Sequence, residues 1–155
     1  MLYFDHNATT PLLPEAKRAW LEAVDSLVGN PSSPHRLGAR ADAALESARE
    51  RLAAALGCNA GDIVWTSGAT ESNNAVFSHL AGMTTGRPDE VLVSAVEHPS
   101  VLSPARRHFG GKVRTIPVDG CGVVSLNWLE KALAGQGVRA VAVMAANNET
   151  GVLQP

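Results

Sequence analysis

The chain has 155 residues, 45% hydrophobic and 18% charged, with a formal net charge of -2. That length and balance suffice for one domain with a core and exclude a disordered tail, and the small charge excludes a general attraction to nucleic acid or an anionic membrane. No apolar run is long enough to span a bilayer, and Met1-Leu2-Tyr3-Phe4-Asp5 lacks the regions of a secretion signal, so the expected location is cytoplasmic.

Residues 1 to 13 read as a short strand-like opening followed by Asp5-His6-Asn7-Ala8-Thr9-Thr10-Pro11, a turn by its Asx and Pro chemistry. A first helix is expected from Pro14, with Ala16, Ala19, Trp20, Ala23, Val24, Leu27 and Val28 at helical spacing on a buried face and Gly29 closing it. Gly29-Asn30-Pro31-Ser32-Ser33-Pro34-His35-Arg36 is a loop whose His35 and Arg36 either contact an anion or face water. A longer helix then runs to Leu56 and stops at Gly57, with an alanine- and leucine-rich stripe and a solvated charged face. Cys58 follows that stop; with Cys121 it shows no metal-ligand spacing, and both fit free thiols in a reducing compartment.

Asp62-Ile63-Val64-Trp65-Thr66 is a short β-branched apolar run that predicts a buried strand. The polar turn Ser67-Gly68-Ala69-Thr70-Glu71 leads into a helix carrying Ala75, Val76, Phe77, Leu80 and Ala81 and ending at Gly82. Gly68 allows backbone conformations closed to other residues. A strand, a Gly-containing turn and a helix start present unpaired N–H groups and suit a phosphate; the same pattern also serves as a turn with no ligand.

From there the period is strand, helix, strand, helix, strand. The strands are expected at Glu90–Val96, Lys112–Val118 and Arg139–Ala145. The helix after the first has Pro104 inside it, so either its regular part starts at Ser103 or its first turn is distorted. Pro117 marks a sheet edge or a strand end, and Asp119-Gly120-Cys121-Gly122 is a turn. A short helix after Ser125 is expected to bury Leu126, Leu129 and Leu133. This alternation predicts an α/β domain with a mostly parallel sheet and flanking helices, in which ligands bind outside the carboxyl ends of the strands.

Three strand ends carry polar sets: Ser67-Gly68-Ala69-Thr70, Glu97-His98 and Asn147-Asn148-Glu149. Each alone fits turn or cap chemistry; together on one rim they fit a phosphate-bearing cofactor with an aromatic ring. Gly110-Gly111-Lys112 is followed by Val113, which breaks a P-loop, and no Gly-x-Gly-x-x-Gly follows a strand.

Five segments carry a resemblance: Tyr3 to Pro11, Gly29 to Arg36, Thr66 to Asn74, Glu97-His98-Pro99-Ser100-Val101-Leu102 and Asn147-Asn148-Glu149-Thr150-Gly151. In order and spacing, across all 155 residues, they resemble the N-terminal part of a cysteine desulfurase, a pyridoxal-phosphate enzyme of the class V aminotransferase family. They do less to separate desulfurase from selenocysteine lyase. The resemblance implies the large domain of a fold-type I transferase, with residues 1–13 as a segment near the active site and 14–155 as an incomplete cofactor-binding domain. It implies that Ala69 and Thr70 hold the cofactor phosphate. By the same resemblance, His98 matches the histidine that stacks on the pyridine ring and assists proton transfer, and Asn148 the asparagine that hydrogen-bonds the phenolic oxygen near the substrate carboxylate. Asn7, Thr9, His35 and Arg36 match segments near the substrate entrance and the dimer partner.

It further implies L-cysteine as substrate, a sulfur-acceptor protein, a homodimer, iron–sulfur or thio-cofactor assembly and no metal. The family needs a lysine bonded to the cofactor, an aspartate at the ring nitrogen and a mobile cysteine. Lys17, Lys112 and Lys131 do not match the lysine motif, nor Cys58 and Cys121 the nucleophile loop. The expectation is a fragment whose catalytic lysine and cysteine lie beyond Pro155; the alternative is a non-catalytic truncation or a module pairing with another subunit.

Overall fold

The computed structural model describes residues 2–83, 89–135 and 137–155. Its contacts separate two compact units, Met1–Trp65 and Thr66–Pro155.

In the first unit, residues 2–5 form no strand; Tyr3 instead folds over the following turn, its hydroxyl donating to the carbonyls of Asp5 (2.9 Å) and Thr9 (3.0 Å). Helix α1 spans Pro14–Ser26 and begins with proline where the N–H would be unpaired anyway. The buried face expected for it is not there: α1 contains no buried residue, and Trp20 is 63% exposed. Helical periodicity marks which side chains share a face, but burial needs a second surface against that face. Helix α2 spans Arg36–Leu56 and buries Gly38, Ala41 and Ala53. Gly57 ends it in the left-handed conformation at φ 70°, as its position predicts.

The expected strand at 62–66 is the main departure. Ala60–Asp62 is a 3-10 turn and residues 63–66 join no ladder; Val64 is 80% exposed. A strand exists only where a neighbour takes up its backbone groups, and no described strand lies beside this one. The Arg49 guanidinium binds the carbonyl of Ile63 and lies 5.7 Å from the Trp65 ring, which anchors the segment to α2.

The second unit is the α/β layer structure that the alternation predicts. Helix α3 is Ala69–Gly82, β1 Glu90–Ser94, α4 Pro99–Phe109, β2 Val113–Ile116, α5 Leu126–Ala134 and β3 Val138–Ala142. The described strands form a parallel sheet ordered β2-β1-β3, with Val91 opposite Val113 on one side and Ala140 on the other. The strands are shorter than their apolar runs because the ladder stops where the chain turns toward the next helix. Side chains alternate across the sheet. Val91 and Val93 pack with Phe77 of α3 and with Ala105 and Phe109 of α4; Leu92 and Ile116 pack on the opposite face with Val124, which precedes α5, and with Ala132 of α5. Central β1 is therefore covered on both faces, and Val91, Leu92 and Val93 are essentially inaccessible to water.

Pro117 follows the end of β2, which is an edge strand. Pro104 is buried inside α4, and the helix runs through it from Pro99, so its regular part does not wait until Ser103. The start is tightened instead: the His98 carbonyl accepts from both Val101 (2.9 Å) and Leu102 (3.3 Å). Helix α5 starts where expected, with the Ser125 hydroxyl accepting from the Trp128 N–H, but Leu126 and Leu133 stay about half exposed (48% each). Ala132 is its buried residue, with Trp128 and Leu129 packed beside it.

Candidate functional site

Parallel strands deliver their connecting loops to one end of the sheet, and there the second unit has a cleft of about 290 Å³. It is lined by Ala95–Pro99, after β1, and Asn147–Thr150, after β3. Two of the three polar strand ends singled out in the sequence thus meet in one place.

Two side chains join the loops. Glu97 is 9% exposed; its Oε1 accepts from the Ser94 hydroxyl (2.8 Å) and from the Met144 backbone N–H. The Asn147 amide donates to the Val96 carbonyl (3.1 Å), while its Oδ1 accepts from the Glu149 N–H (3.0 Å), the Thr150 N–H (2.8 Å) and the Thr150 hydroxyl (3.0 Å). Asn147 therefore makes the turn on which Asn148 sits, and Gly151, at φ 74°, allows the chain to fold back. Glu97→Ala should cost about 2–3 kcal/mol, because it strands the Ser94 hydroxyl and the Met144 N–H. Glu97→Gln, which keeps an acceptor oxygen, should cost less. Chemical denaturation checks the order; an alanine variant as stable as the parent would remove Glu97 from this role.

His98 is the N-cap of α4. Its Nδ1 accepts from the Ser100 backbone N–H (3.0 Å) and lies 2.8 Å from the Ser100 hydroxyl. A nitrogen accepting from an amide N–H holds a lone pair, so the neutral ring carries its proton on Nε2. The ring is exposed and lines the cleft.

Ala69 and Thr70 open α3. They do not line the cleft, but their helix start is tied to it: the Asn73 amide donates to the Ser100 hydroxyl at 3.0 Å. The first intrahelical bond runs from the Ser72 N–H to the Gly68 carbonyl (3.1 Å), so the N–H groups of Ala69 and Thr70 precede the helical ladder. Gly68 provides no side-chain cap, and a Cβ built on it would meet no atom within 4 Å. Its backbone is extended, φ 160° and ψ 177°, so what the glycine contributes here is open space rather than a left-handed turn.

Glu71 reaches back across this turn. The Ser67 hydroxyl (2.6 Å) and then the Ser67 N–H (2.7 Å) hold its carboxyl below the ordinary value. The N–H groups of Val123 and Cys121 do the same for Asp119 in the turn after β2. A lowered native pKa contributes stability above the ordinary carboxylate range that is lost as pH falls through the native value. The stability gap between the parent and the Glu71→Gln, Asp119→Asn double variant should therefore shrink from pH 7 toward pH 3. A gap independent of pH in denaturant titrations would contradict this.

In the first unit, His35 caps α2 as His98 caps α4: its Nδ1 accepts from the Gly38 N–H at 3.1 Å. Arg36 is exposed at the first helical position. Asn7 lies in the turn after Asp5, and the Thr9 N–H donates to the Asp5 carbonyl (3.2 Å). This unit has a groove of about 650 Å³ between α1 and α2, lined largely by alanines and by Leu27 and Leu45, which holds none of these four residues. Lys17 lies in α1 and Lys131 in α5; Lys112 closes a 3-10 turn, Gly110–Lys112, rather than opening the strand. No lysine lines the cleft.

Residues 2–155 match the family described as aminotransferase class V. The chain belongs to that family. It is 39% identical over 157 residues to a NifS/IcsS protein homolog of Lactobacillus delbrueckii subsp. bulgaricus, covering 100% of this chain and 40% of the relative. It is 40% identical to the cysteine desulfurase IscS 1 of Archaeoglobus fulgidus, covering 100% of this chain and 41% of that protein. Among solved structures, a NifS-like protein superposes with a TM-score of 0.92 at 38% identity, over 99% of this chain and 43% of that one. SspA in complex with cysteine gives 0.87 at 29% identity, over 99% and 44%. The chain thus spans about two fifths of the length of the curated relatives it matches (40% and 41%). Family membership implies pyridoxal-phosphate dependence, and the class V architecture agrees with the parallel sheet and its flanking helices.

The sequence pointed to His98 and Asn148 but not to Glu97, Asn147 or Ser100 as the groups that hold them. One signal was present: Glu97 is an acid directly after the apolar run Val91–Val96, where a charge is tolerated only if its burial is compensated.

Proposed function

We propose that this chain is the N-terminal part of a pyridoxal-phosphate-dependent cysteine desulfurase. The observation that carries the reading is the cleft at the carboxyl ends of β1 and β3, which brings His98 and the Asn147–Thr150 turn together. The names of the relatives and the neighbour in complex with cysteine support the same reading.

The residues present fit the cofactor. Ala69 and Thr70 offer backbone N–H groups and a hydroxyl at an uncapped helix start with open space beside Gly68, which suits a phosphate. His98 offers an exposed imidazole for stacking on the ring, with its proton on Nε2 for transfer, and Asn148 offers a side-chain donor for the phenolic oxygen. When bound, the cofactor supplies the electron sink for carbanion chemistry at the substrate. The protein's part is to bind, orient and move protons. Residues 1–13 form a segment near the active site and 14–155 part of the cofactor-binding domain, with Asn7, Thr9, His35 and Arg36 near the substrate entrance and the partner subunit.

In the reaction, the C–S bond of L-cysteine breaks and a sulfur–sulfur bond forms with an enzyme thiolate. The substrate carbon takes up a proton to give L-alanine, and the persulfide passes its sulfur to an acceptor protein for iron–sulfur or thio-cofactor assembly. The lysine and nucleophilic cysteine are supplied by sequence after residue 155 of a cytoplasmic homodimer. Incubating the full-length protein with pyridoxal phosphate, L-cysteine and a thiol reductant should release alanine and sulfide in equal amounts. Absence of alanine overturns the reading, and turnover confined to L-selenocysteine makes the protein a selenocysteine lyase instead.

A further inference from the structure

The mechanism uses His98, yet the groups that set its ring and its proton belong to two other residues. The Ser100 backbone N–H and hydroxyl both meet Nδ1, at 3.0 and 2.8 Å. The hydroxyl accepts from the Asn73 amide at 3.0 Å. An amide nitrogen only donates, so the Ser100 oxygen accepts on that side and keeps its own proton to offer to Nδ1, which the backbone N–H already holds as an acceptor. The backbone N–H cannot accommodate a proton on that ring nitrogen, and the hydroxyl adds a second donor to it.

We propose that Ser100, aimed by Asn73, is a positioning residue that holds His98 in the Nε2–H tautomer with its ring plane set. His35 provides a comparison within the same chain. Its Nδ1 receives one backbone N–H, from Gly38 at 3.1 Å, and among the described residues no hydroxyl donates to it. Capping a helix with histidine therefore requires only the amide; the hydroxyl and the asparagine behind it are additional at His98. A second donor does little for the cap, because Ser100→Ala leaves the backbone N–H in place. It does restrict rotation of the ring and raises the cost of moving the proton to Nδ1. The Asn73–Ser100 link also joins the first turns of α3 and α4, so the proposed phosphate turn and the proposed stacking ring share one hydrogen-bonded chain.

The inference rests on the reading of His98 as the proton-handling group, but its first test needs neither cofactor nor substrate. The full-length protein is labelled with 15N-histidine and studied at pH about 8.5, where an ordinary imidazole is neutral. His98 is assigned by comparison with His98→Asn. The expected spectrum shows Nδ1 unprotonated and Nε2 protonated, with the wide separation of a single tautomer. In Ser100→Ala that separation should narrow, Ser100→Thr should restore it, and Asn73→Ala should narrow it in part. With cofactor and L-cysteine, kcat of Ser100→Ala should fall roughly tenfold with little change in KM, the loss expected for a misplaced reacting group. A proton on Nδ1 in the parent, or an unchanged tautomer pattern in both Ser100→Ala and Asn73→Ala, overturns the proposal. The expected tautomers in a protein that releases no alanine leave the positioning role intact and remove the desulfurase reading; desulfurase activity with the wrong tautomer does the reverse.

Discussion

Replacing His98 with alanine in the full-length protein should lower kcat by roughly 10²–10⁴-fold, the range lost when a positioned acid–base group is removed. The structure adds a complication that the sequence does not show: His98 also caps α4 through Nδ1. Alanine removes that cap and should cost about 1 kcal/mol of stability in addition. Asparagine keeps an acceptor for the Ser100 N–H and removes only the ring. His98→Asn should therefore match the alanine variant in lost turnover while keeping nearly the parental stability. Steady-state kinetics beside thermal denaturation separates the two effects. Normal turnover with an ordinary cofactor spectrum in either variant would remove His98 from the chemistry.

Residues 1–155 expressed alone should not behave as a stable monomer. Helix α1 buries nothing, and Leu2, Phe4, Trp20 and Leu56 are all more than 60% exposed (84%, 87%, 63% and 66%). Isolated exposed apolar residues are ordinary, but an apolar helix face of this extent usually has a partner. The two sheet edges also differ. Edge strand β2 is short, is followed by Pro117 and carries Arg114 paired with Glu90 at 2.9 Å, all devices that discourage further pairing. Edge strand β3 is Val138-Arg139-Ala140-Val141-Ala142, and its one charged side chain is drawn into a 2.7 Å ion pair with Asp89. A domain has only about 5–15 kcal/mol of net stability to set against such exposure. The expected outcome is aggregation, or a molten species that binds hydrophobic dye and melts without a cooperative transition. A monomer with a sharp thermal transition would be the contrary result.

Much of the second unit was legible in the sequence because its signals are local. Ser125 caps α5, Pro117 ends β2, and the Asp119 carboxylate folds its own turn through N–H groups two and four residues on. Alternating apolar runs and helical stripes then imply parallel strands with helices packed on both faces, and the polar strand ends mark the rim. The resemblance of five segments to the cysteine desulfurases adds the cofactor and the roles of Ala69, Thr70, His98 and Asn148 as an expectation.

What the sequence by itself determined, then, is the type and starting point of most elements: Pro14, Gly57 and Ser125 act through backbone groups within a turn of themselves. Only the tertiary structure decided which of those elements found a partner. Residues 63–66 have the composition of a strand and no ladder, because a strand's hydrogen bonds come from another segment. The stripes of α1 and α5 are periodic, yet Trp20, Leu126 and Leu133 remain in water, because periodicity groups side chains without covering them. Glu97 and Asn147 take their decisive contacts from Met144 and Val96, 47 and 51 residues away. Those bonds form only after β1 and β3 have paired, and so the groups that hold the cleft together could not be read from their neighbours in the chain.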